Sequence, residues 1–159
     1  MLLVDTNVLV DVWQNDPQWA NWSVAQLRAQ SQIHELVINS VIYAELSLNY
    51  ESVERLDERI EDLELRLQQL PRPALFLAGK AFMRYRRAGG KRTNVLADFF
   101  IGAHAAVLQC GILTRDTTRY RSYFPSVQLV APESQLHRGH RRLRRLPQQP
   151  VAERRNLVE

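Results

Sequence analysis

The segment VLADFFIGAHAAVLQCG, residues 95–111, is the feature of this sequence that most restricts its fold. At about 100° per residue, apolar side chains cover almost the whole circumference of the predicted helix, so the helix belongs in a core. Asn94 is a suitable N-cap for this helix, and Gly111 is a suitable residue to end it. The segment nevertheless contains Asp98. An unpaired carboxylate in a core costs several kcal/mol, so Asp98 requires a partner.

Short apolar runs alternate with helical patterns along the chain. The predicted strands are the runs at 2–4, 36–38, 112–114 and 127–130. The predicted helices are one that Asp16 and Pro17 open, one that Ser40 caps, an amphipathic one at 52–66 and one at 74–88. This alternation predicts an α/β fold, a three-layer α/β/α sandwich around a mainly parallel central sheet.

The composition is that of one globular domain. With 159 residues, the chain is long enough for a single domain with a substantial core. Charged or amide side chains interrupt each apolar run, so no segment is expected to enter a membrane. The N-terminus has no basic region before its first Asp, and Cys110 has no second cysteine as a disulfide partner. We therefore expect a cytoplasmic location.

The basic charge of the chain is concentrated at its C-terminal end. Residues 137–159 contain seven arginines and two glutamates. We therefore divide the chain into a domain at 1–132 and an Arg-rich extension at 133–159. A flexible, solvated extension and a basic arm for phosphate backbones or an acidic partner both stay open as interpretations. His137 and His140 have a spacing found in metal sites, but they have no Cys or carboxylate set beside them.

Four carboxylates follow or interrupt the apolar segments: Asp5, Glu45, Asp98 and Asp116. Asp5 and Asp116 each follow a predicted strand, and ligands of parallel sheets bind at that edge. Three of the four have ordinary alternatives, with Asp5 as a helix cap, Asp116 at a turn and Glu45 facing solvent. Collected at one edge, the four would repel one another strongly without a cation. Hard divalent ions such as Mg²⁺ or Mn²⁺ suit an all-oxygen site, which would make Asp98 a metal ligand.

Four motifs together resemble one known family. They are VDTNVLVD at 4–11, YAEL at 43–46, ADFFIGAHA at 97–105 and LTRDTTRYRSYFP at 113–125. In this order and spacing they resemble the PIN-domain nucleases, and more narrowly the VapC toxins of bacterial and archaeal toxin–antitoxin pairs. The resemblance covers roughly residues 1–132 and leaves out the Arg-rich extension.

The resemblance implies an endoribonuclease that uses Mg²⁺, for which Mn²⁺ substitutes. The family's acidic quartet corresponds here to Asp5, Glu45, Asp98 and Asp116. Supporting positions, which hold water or orient a carboxylate, correspond to Thr6, Asn7 and Thr114. The resemblance also implies an RNA substrate, a cognate antitoxin of the VapB type and a homodimer. Some members carry a further acid shortly after the last acid of the quartet, and residues 117–119 contain none. Binding of one metal ion and binding of two therefore both stay open. Asp11 matches the first motif and is expected behind the quartet or at the surface.

Basic residues flank the predicted site in the sequence. Those before Asp98 are Arg84, Arg86, Arg87, Lys91 and Arg92, and those beside Asp116 are Arg115 and Arg119. One interpretation is a series of contacts to the RNA backbone, and the other is favourable charge at a helix end together with solubility. Both interpretations stay open.

Other classes of protein fit the motifs less well. A phosphatase of the haloacid dehalogenase type needs an aspartate where Asn7 stands, and a receiver domain needs a differently placed Lys. A housekeeping RNA-processing nuclease and a non-catalytic module that binds RNA or a partner stay open as alternatives. The presence of all four acids favours a nuclease. His104 follows Asp98 by six residues and therefore points away from it, so we predict a structural role.

Overall fold

Five short parallel strands form the centre of the computed structural model, which describes residues 1–133. The strands are β1 (Leu2–Val4), β2 (Leu36–Asn39), β3 (Arg66–Gln68), β4 (Gly111–Leu113) and β5 (Leu129–Val130). Their order across the sheet is β3-β2-β1-β4-β5, and every pairing is parallel. Most of the Arg-rich extension, including His137 and His140, lies outside the described residues. The α/β class and the parallel sheet are confirmed.

Seven helices connect the strands within residues 1–133. They are α1 (Thr6–Trp13), α2 (Ala20–Ser31), α3 (Ser40–Ser47), α4 (Val53–Asp62), α5 (Arg72–Arg87), α6 (Leu96–Leu108) and α7 (Thr118–Tyr123). The chain runs from β1 outward through β2 to β3 and then returns across the sheet to β4 and β5. Parallel crossovers are right-handed as a rule, which places the helices of the two legs toward opposite faces of the sheet, and α3 of the first leg also contacts α6 of the second. In the part of the chain that the structure describes, no helix is long and apolar enough to cross a bilayer.

The strand order reverses between β1 and β4. β1 lies at the middle of the sheet, with β2 on one side and β4 on the other. The backbone N–H of Asp5 donates to the carbonyl of Leu113 at 2.9 Å, so the two strands end side by side. A reversal of this kind opens a crevice at the carboxyl ends of the strands. Asp5 and Asp116 follow β1 and β4, so the fold places both aspartates at this crevice.

Several element boundaries differ from the sequence-based expectations. Asn39, not Ser40, caps α3, and its side-chain oxygen accepts from the N–H groups of Val41 and Ile42 at 3.0 Å. The predicted caps of α6 are also wrong. Val95 rather than Asn94 precedes the helix, and Gln109, in a left-handed conformation with φ of 53°, ends it before Gly111 begins β4.

Two further corrections concern α2 and α4. Asp16 caps a turn, in which its carboxylate accepts from the backbone N–H groups of Gln18 and Trp19, and the regular helix starts only at Ala20. The helix predicted at 52–66 ends at Asp62, because the chain then turns into β3, a strand that was not predicted.

An aromatic cluster packs α6 against α5 and α7. Phe99 is fully buried. The centre of its ring lies 5.6 Å from the ring centre of Phe82, 5.5 Å from that of Tyr85, 5.0 Å from that of Tyr123 and 6.3 Å from that of Phe124. Phe124 also lies against Gly102, where a Cβ atom would come within 2.2 Å of the Phe124 ring. The absence of a side chain at position 102 therefore permits the close approach. This packing fixes the helix that carries Asp98.

His104 has the structural role predicted for it. Its side chain is fully buried, and its Nδ1 accepts a hydrogen bond from Asn39 Nδ2 at 3.2 Å. Burial lowers the pKa of the imidazole, which keeps it neutral. The contact links α6 to the N-terminus of α3, the helix that carries Glu45.

Candidate active site

Asp5 is the most enclosed acid at the crevice. Its side chain is 5% exposed. Its Oδ2 atom accepts hydrogen bonds from Thr114 Oγ1 at 2.7 Å, Asn7 Nδ2 at 2.8 Å and Tyr120 OH at 3.1 Å. Burial raises the pKa of the Tyr120 hydroxyl well above its ordinary value, so this hydroxyl stays a proton donor. Three donors on one oxygen fix the direction of the carboxylate.

Thr114 and Asn7 connect Asp5 to the loop that carries Asp116. The N–H of Asp116 donates to Thr114 Oγ1 at 3.1 Å, and the N–H of Arg115 donates to Asn7 Oδ1 at 3.2 Å. Asp116 is itself exposed, and its Oδ1 accepts from the N–H of Thr118 at 3.1 Å at the start of α7. Thr114 and Asn7 thus orient a carboxylate, as one reading of the sequence proposed.

Glu45 lies beside the aspartates and is held by Thr6. The Thr6 hydroxyl donates to Glu45 Oε2. Burial raises the pKa of Glu45, the hydrogen bond from Thr6 opposes that rise, and the nearby charge of Asp98 adds to it. The charge of Glu45 likewise acts on Asp5. Glu45 is therefore part of the same electrostatic group, although it does not line the pocket itself.

Asp98 is paired with Arg119. Arg119 Nη1 lies 2.7 Å from Asp98 Oδ2, and the two side chains are 24% and 30% exposed. Asp98 stands in the first turn of α6, where the helix dipole favours a carboxylate. The sequence had suggested Arg119 only as a contact for RNA. The structure instead gives the half-buried Asp98 a cationic partner within the chain.

The three aspartates open onto one small pocket. Its volume is about 130 Å³, and its lining consists of Asp5, Asn7, Asp98, Asp116, Arg119 and Tyr120. Within residues 1–133, no group of three Asp, Glu, His or Cys side chains stands in an arrangement that could hold a metal ion. Three of the four acids predicted from the sequence therefore line one pocket, where Asp98 Oδ2 is bonded to Arg119.

Two of these carboxyl groups hold their protons more tightly than usual. Burial raises the pKa of Asp5 from 3.8 to about 6, and the charge of Glu45 adds to the rise. Burial also raises the pKa of Asp98 to about 6, with Asp5 and Asp116 adding to the rise and Arg119 opposing it. The charged forms of both carboxyl groups are therefore disfavoured, chiefly because the groups are buried.

These shifts predict a dependence of stability on pH when divalent cations are absent. Because the folded protein binds protons at Asp5 and Asp98 up to about pH 6 and the unfolded chain only up to about 3.8, unfolding releases protons between these values. The free energy of unfolding in EDTA is therefore expected to fall as the pH rises across this window. Urea titrations followed by circular dichroism measure it, with Asp98→Asn as the comparison. If the free energy of unfolding of Asp98→Asn falls with pH as steeply as that of the wild type, the raised pKa assigned to Asp98 is contradicted.

Asp11 and Arg115 form a second ion pair behind the pocket. Asp11 is 1% exposed, so the alternative that placed it at the surface is wrong. Its Oδ2 accepts hydrogen bonds from Arg115 Nε at 2.9 Å and from Ser23 Oγ at 3.0 Å. The Arg115 guanidinium also lies 5.7 Å from the centre of the Trp19 ring. Arg115 thus ties the loop before Asp116 to α1 and α2, a role that the sequence did not reveal.

The basic residues before Asp98 lie on the exposed end of α5 and on the segment that follows it. They are Arg84, Arg86, Arg87, Lys91 and Arg92, and none of them lines the acidic pocket. The guanidinium of Arg84 lies 5.6 Å from the ring centre of Tyr123. Their contact with RNA stays a prediction. Tyr120, which sequence reasoning missed, is signalled only by its place four residues after Asp116 in the last motif.

The fold and the pocket define a class of protein: a parallel α/β domain with a cluster of acidic side chains at the carboxyl edge of its sheet. Residues 2–124 match the family model described as the PIN domain. The chain therefore belongs to the PIN domain family.

Several solved structures of other proteins share this fold. The chain is similar to one in VapBC2 from Rickettsia felis bound to a promoter DNA fragment, with 17% identity, a TM-score of 0.63, and 82% of this chain and 97% of that chain covered. A chain of VapBC from Salmonella typhimurium bound to DNA matches with 18% identity, a TM-score of 0.61, and coverage of 82% and 96%. A chain of FitAcB from Neisseria gonorrhoeae matches with 22% identity, a TM-score of 0.57, and coverage of 81% and 96%. No curated protein matches the chain.

Proposed function

We propose that this protein is a Mg²⁺-dependent endoribonuclease and the toxin of a VapBC-like toxin–antitoxin pair. The observation that supports the proposal is the pocket of a PIN-family domain at which Asp5, Asp98 and Asp116 converge. Glu45 completes the acidic group through its electrostatic contact with Asp5 and Asp98. All four acids that the family resemblance assigns to the site are thus near neighbours.

The chemistry of the donor set fits a hard divalent cation. All the acidic side chains at the pocket offer oxygen atoms, which Mg²⁺ and Mn²⁺ prefer. The raised pKa values of Asp5 and Asp98 are caused chiefly by burial, which disfavours their charged forms, and a bound cation would stabilise those forms. When bound, the cation supplies Lewis acidity, lowering the pKa of a water molecule and offsetting charge on the phosphoryl oxygens.

The chain's own residues hold the carboxylates in place for this chemistry. Thr114, Asn7 and Tyr120 direct Asp5, and Thr6 directs Glu45. Both acids are thereby oriented before any ligand arrives, which reduces the cost of reorganisation. No imidazole lines the pocket in the described part of the chain, so the proposed chemistry does not use a histidine as a base.

The toxin assignment rests on the kinds of complexes that share the fold. Those structures are VapBC and FitAB assemblies bound to DNA and a toxin–antitoxin complex from Klebsiella pneumoniae. By analogy, an antitoxin pairs with this chain. α5 offers an apolar surface for that contact or for a second copy of the chain, because Leu75, Phe76 and Met83 are exposed on it.

The proposed activity is tested with purified full-length protein and total RNA. Cleavage is expected in millimolar Mg²⁺, is expected to stop in EDTA, and is expected to return with Mn²⁺, because the acidic pocket needs a divalent cation to act on a phosphate. Sequencing of the cleaved ends identifies the sites, and products with 5′-phosphate are expected from the family resemblance. A protein that binds a divalent cation and RNA but leaves RNA intact would favour the non-catalytic alternative. Cleavage that persists in EDTA would contradict the metal dependence.

A further inference from the structure

Arg119 is the cationic side chain of the acidic pocket. Arg119 lines this pocket together with the carboxylates of Asp5, Asp98 and Asp116. Its Nη1 donates to Asp98 Oδ2 at 2.7 Å, which is the distance of a strong charge-assisted hydrogen bond. The guanidinium thus brings one positive charge into a space where three carboxylates meet.

A divalent cation and this guanidinium require the same side chain. The proposed cation site needs an oxygen of Asp98, and Arg119 already holds Oδ2. In this arrangement no three acidic side chains in residues 1–133 are placed to hold a metal ion. The two charges of a divalent ion are attracted to the carboxylates more strongly than the single charge of a guanidinium, while the cost of removing water from the ion opposes this gain. A cation bound to Asp98 therefore weakens the ion pair with Arg119, and a cation bound to Oδ2 displaces it.

The fold permits this exchange by a movement of the side chain alone. Arg119 lies near the start of α7, and the neighbouring Tyr120 fixes that helix by donating to Asp5. Tyr123 and Phe124, at the end of α7, pack against Phe99. The backbone at position 119 is therefore anchored on both sides, while the Arg119 side chain is partly exposed. The Arg115 side chain is less free to move than that of Arg119, because both Asp11 and the Trp19 ring hold it.

We propose that Arg119 is an exchangeable cation of this site, which neutralises Asp98 until a divalent cation binds and then contacts a phosphate of the substrate. Both halves rest on the divalent cation site of the proposed function, and the second half also rests on its nuclease activity. Displaced from Asp98 but still at the rim of the pocket, the guanidinium has the planar pair of donors that suits a phosphate. The same side chain thus neutralises Asp98 when no divalent cation is bound and contacts the RNA backbone when one is bound.

The exchange is tested by the affinity for Mn²⁺ in the absence of RNA. Isothermal titration of the full-length protein compares the wild type with Arg119→Gln and Arg119→Lys. Because Arg119→Gln removes the competitor for Asp98, it is expected to bind Mn²⁺ roughly threefold to tenfold more tightly, with Arg119→Lys in between. Arg55→Gln is the matched control, because Arg55 is an exposed arginine paired with Glu58 on α4, and its Mn²⁺ affinity is expected to stay unchanged.

The contact with phosphate is tested by binding of a short single-stranded RNA in Ca²⁺, with a gel to verify that the RNA stays intact. The slope of log affinity against log salt concentration is expected to become shallower by about 0.7 in Arg119→Gln, the loss of one phosphate contact on a single strand. An unchanged slope would overturn the second half of the proposal. Weaker or unchanged Mn²⁺ binding by Arg119→Gln would overturn the first half, because the arginine would then support the cation site or be indifferent to it. Failure of the wild type to bind Mn²⁺ would overturn the cation site itself, and with it the proposed function, so the two failures are distinguishable.

Discussion

Replacement of Asp98 by asparagine is expected to lower Mg²⁺-dependent RNA cleavage by more than about 100-fold, the upper range for loss of a residue that merely supports a metal ligand. The change keeps the shape of the side chain and removes its charge, so the pocket loses a cation ligand without losing a packed group. The fold is expected to remain intact and to be slightly more stable near neutral pH, because the charged form of Asp98 is unfavourable there. Cleavage of a labelled RNA and thermal unfolding of the same preparation measure the two effects.

Asp62→Asn provides the control for this prediction. Asp62 is an exposed aspartate at the end of α4, where it forms a long surface contact of 3.9 Å with Arg59. Its replacement is expected to change neither cleavage nor stability by a measurable amount. Undiminished cleavage by Asp98→Asn would remove Asp98 from the site. A comparable loss in Asp62→Asn would show that the assay responds to net charge rather than to the pocket.

Replacement of Phe99 by alanine is expected to lower the free energy of unfolding by about 3–5 kcal/mol, the usual cost of removing a fully buried aromatic side chain. Phe99 is the centre of the cluster between α5, α6 and α7, so the cavity would be bordered by rings from all three helices. Urea titration monitored by circular dichroism measures the change. Phe76→Ala is the matched control on α5, where the ring is 68% exposed, and its effect is expected to stay within about 0.5 kcal/mol.

Two outcomes would contradict the central place given to Phe99. One is a loss below about 1 kcal/mol in Phe99→Ala, which would mean that the surrounding rings fill the space. The other is an equal loss in Phe76→Ala. If Phe99→Ala fails to fold, Phe99→Leu provides a milder test, because it keeps most of the apolar volume and is expected to cost less than the alanine variant.

The sequence predicted those parts of the molecule that depend on apolar character and strand order. The apolar segments that form β1, β2 and β4 are buried, and their apolar residues are sufficient to identify them as strands. β3 was missed because it is an edge strand whose residues, Arg66 to Gln68, are largely exposed, so no apolar run marks it. The convergence of Asp5 and Asp116 followed from the rule that parallel strands place their carboxyl ends together.

The partners of the polar side chains were beyond the sequence. Arg115 and Arg119 are both arginines beside Asp116, yet the first pairs with Asp11 and the second with Asp98. Their partners lie 104 and 21 residues away in the chain, and nothing in the local pattern distinguishes the two. The same holds for Tyr120, whose hydroxyl reaches Asp5 across 115 residues. Such pairings are set by how helices and loops pack, which single-residue patterns do not encode.

The hydroxyl of Thr114 touches both the Asp5 carboxylate and the backbone of Asp116, and these aspartates follow two adjacent strands. The alignment of those strands is maintained by main-chain hydrogen bonds, which any residue with a free amide supplies. Much of the chain can therefore diverge without separating the acids, provided that this alignment persists. Identities of only 17–22% to proteins of the same fold are what such tolerance leads one to expect.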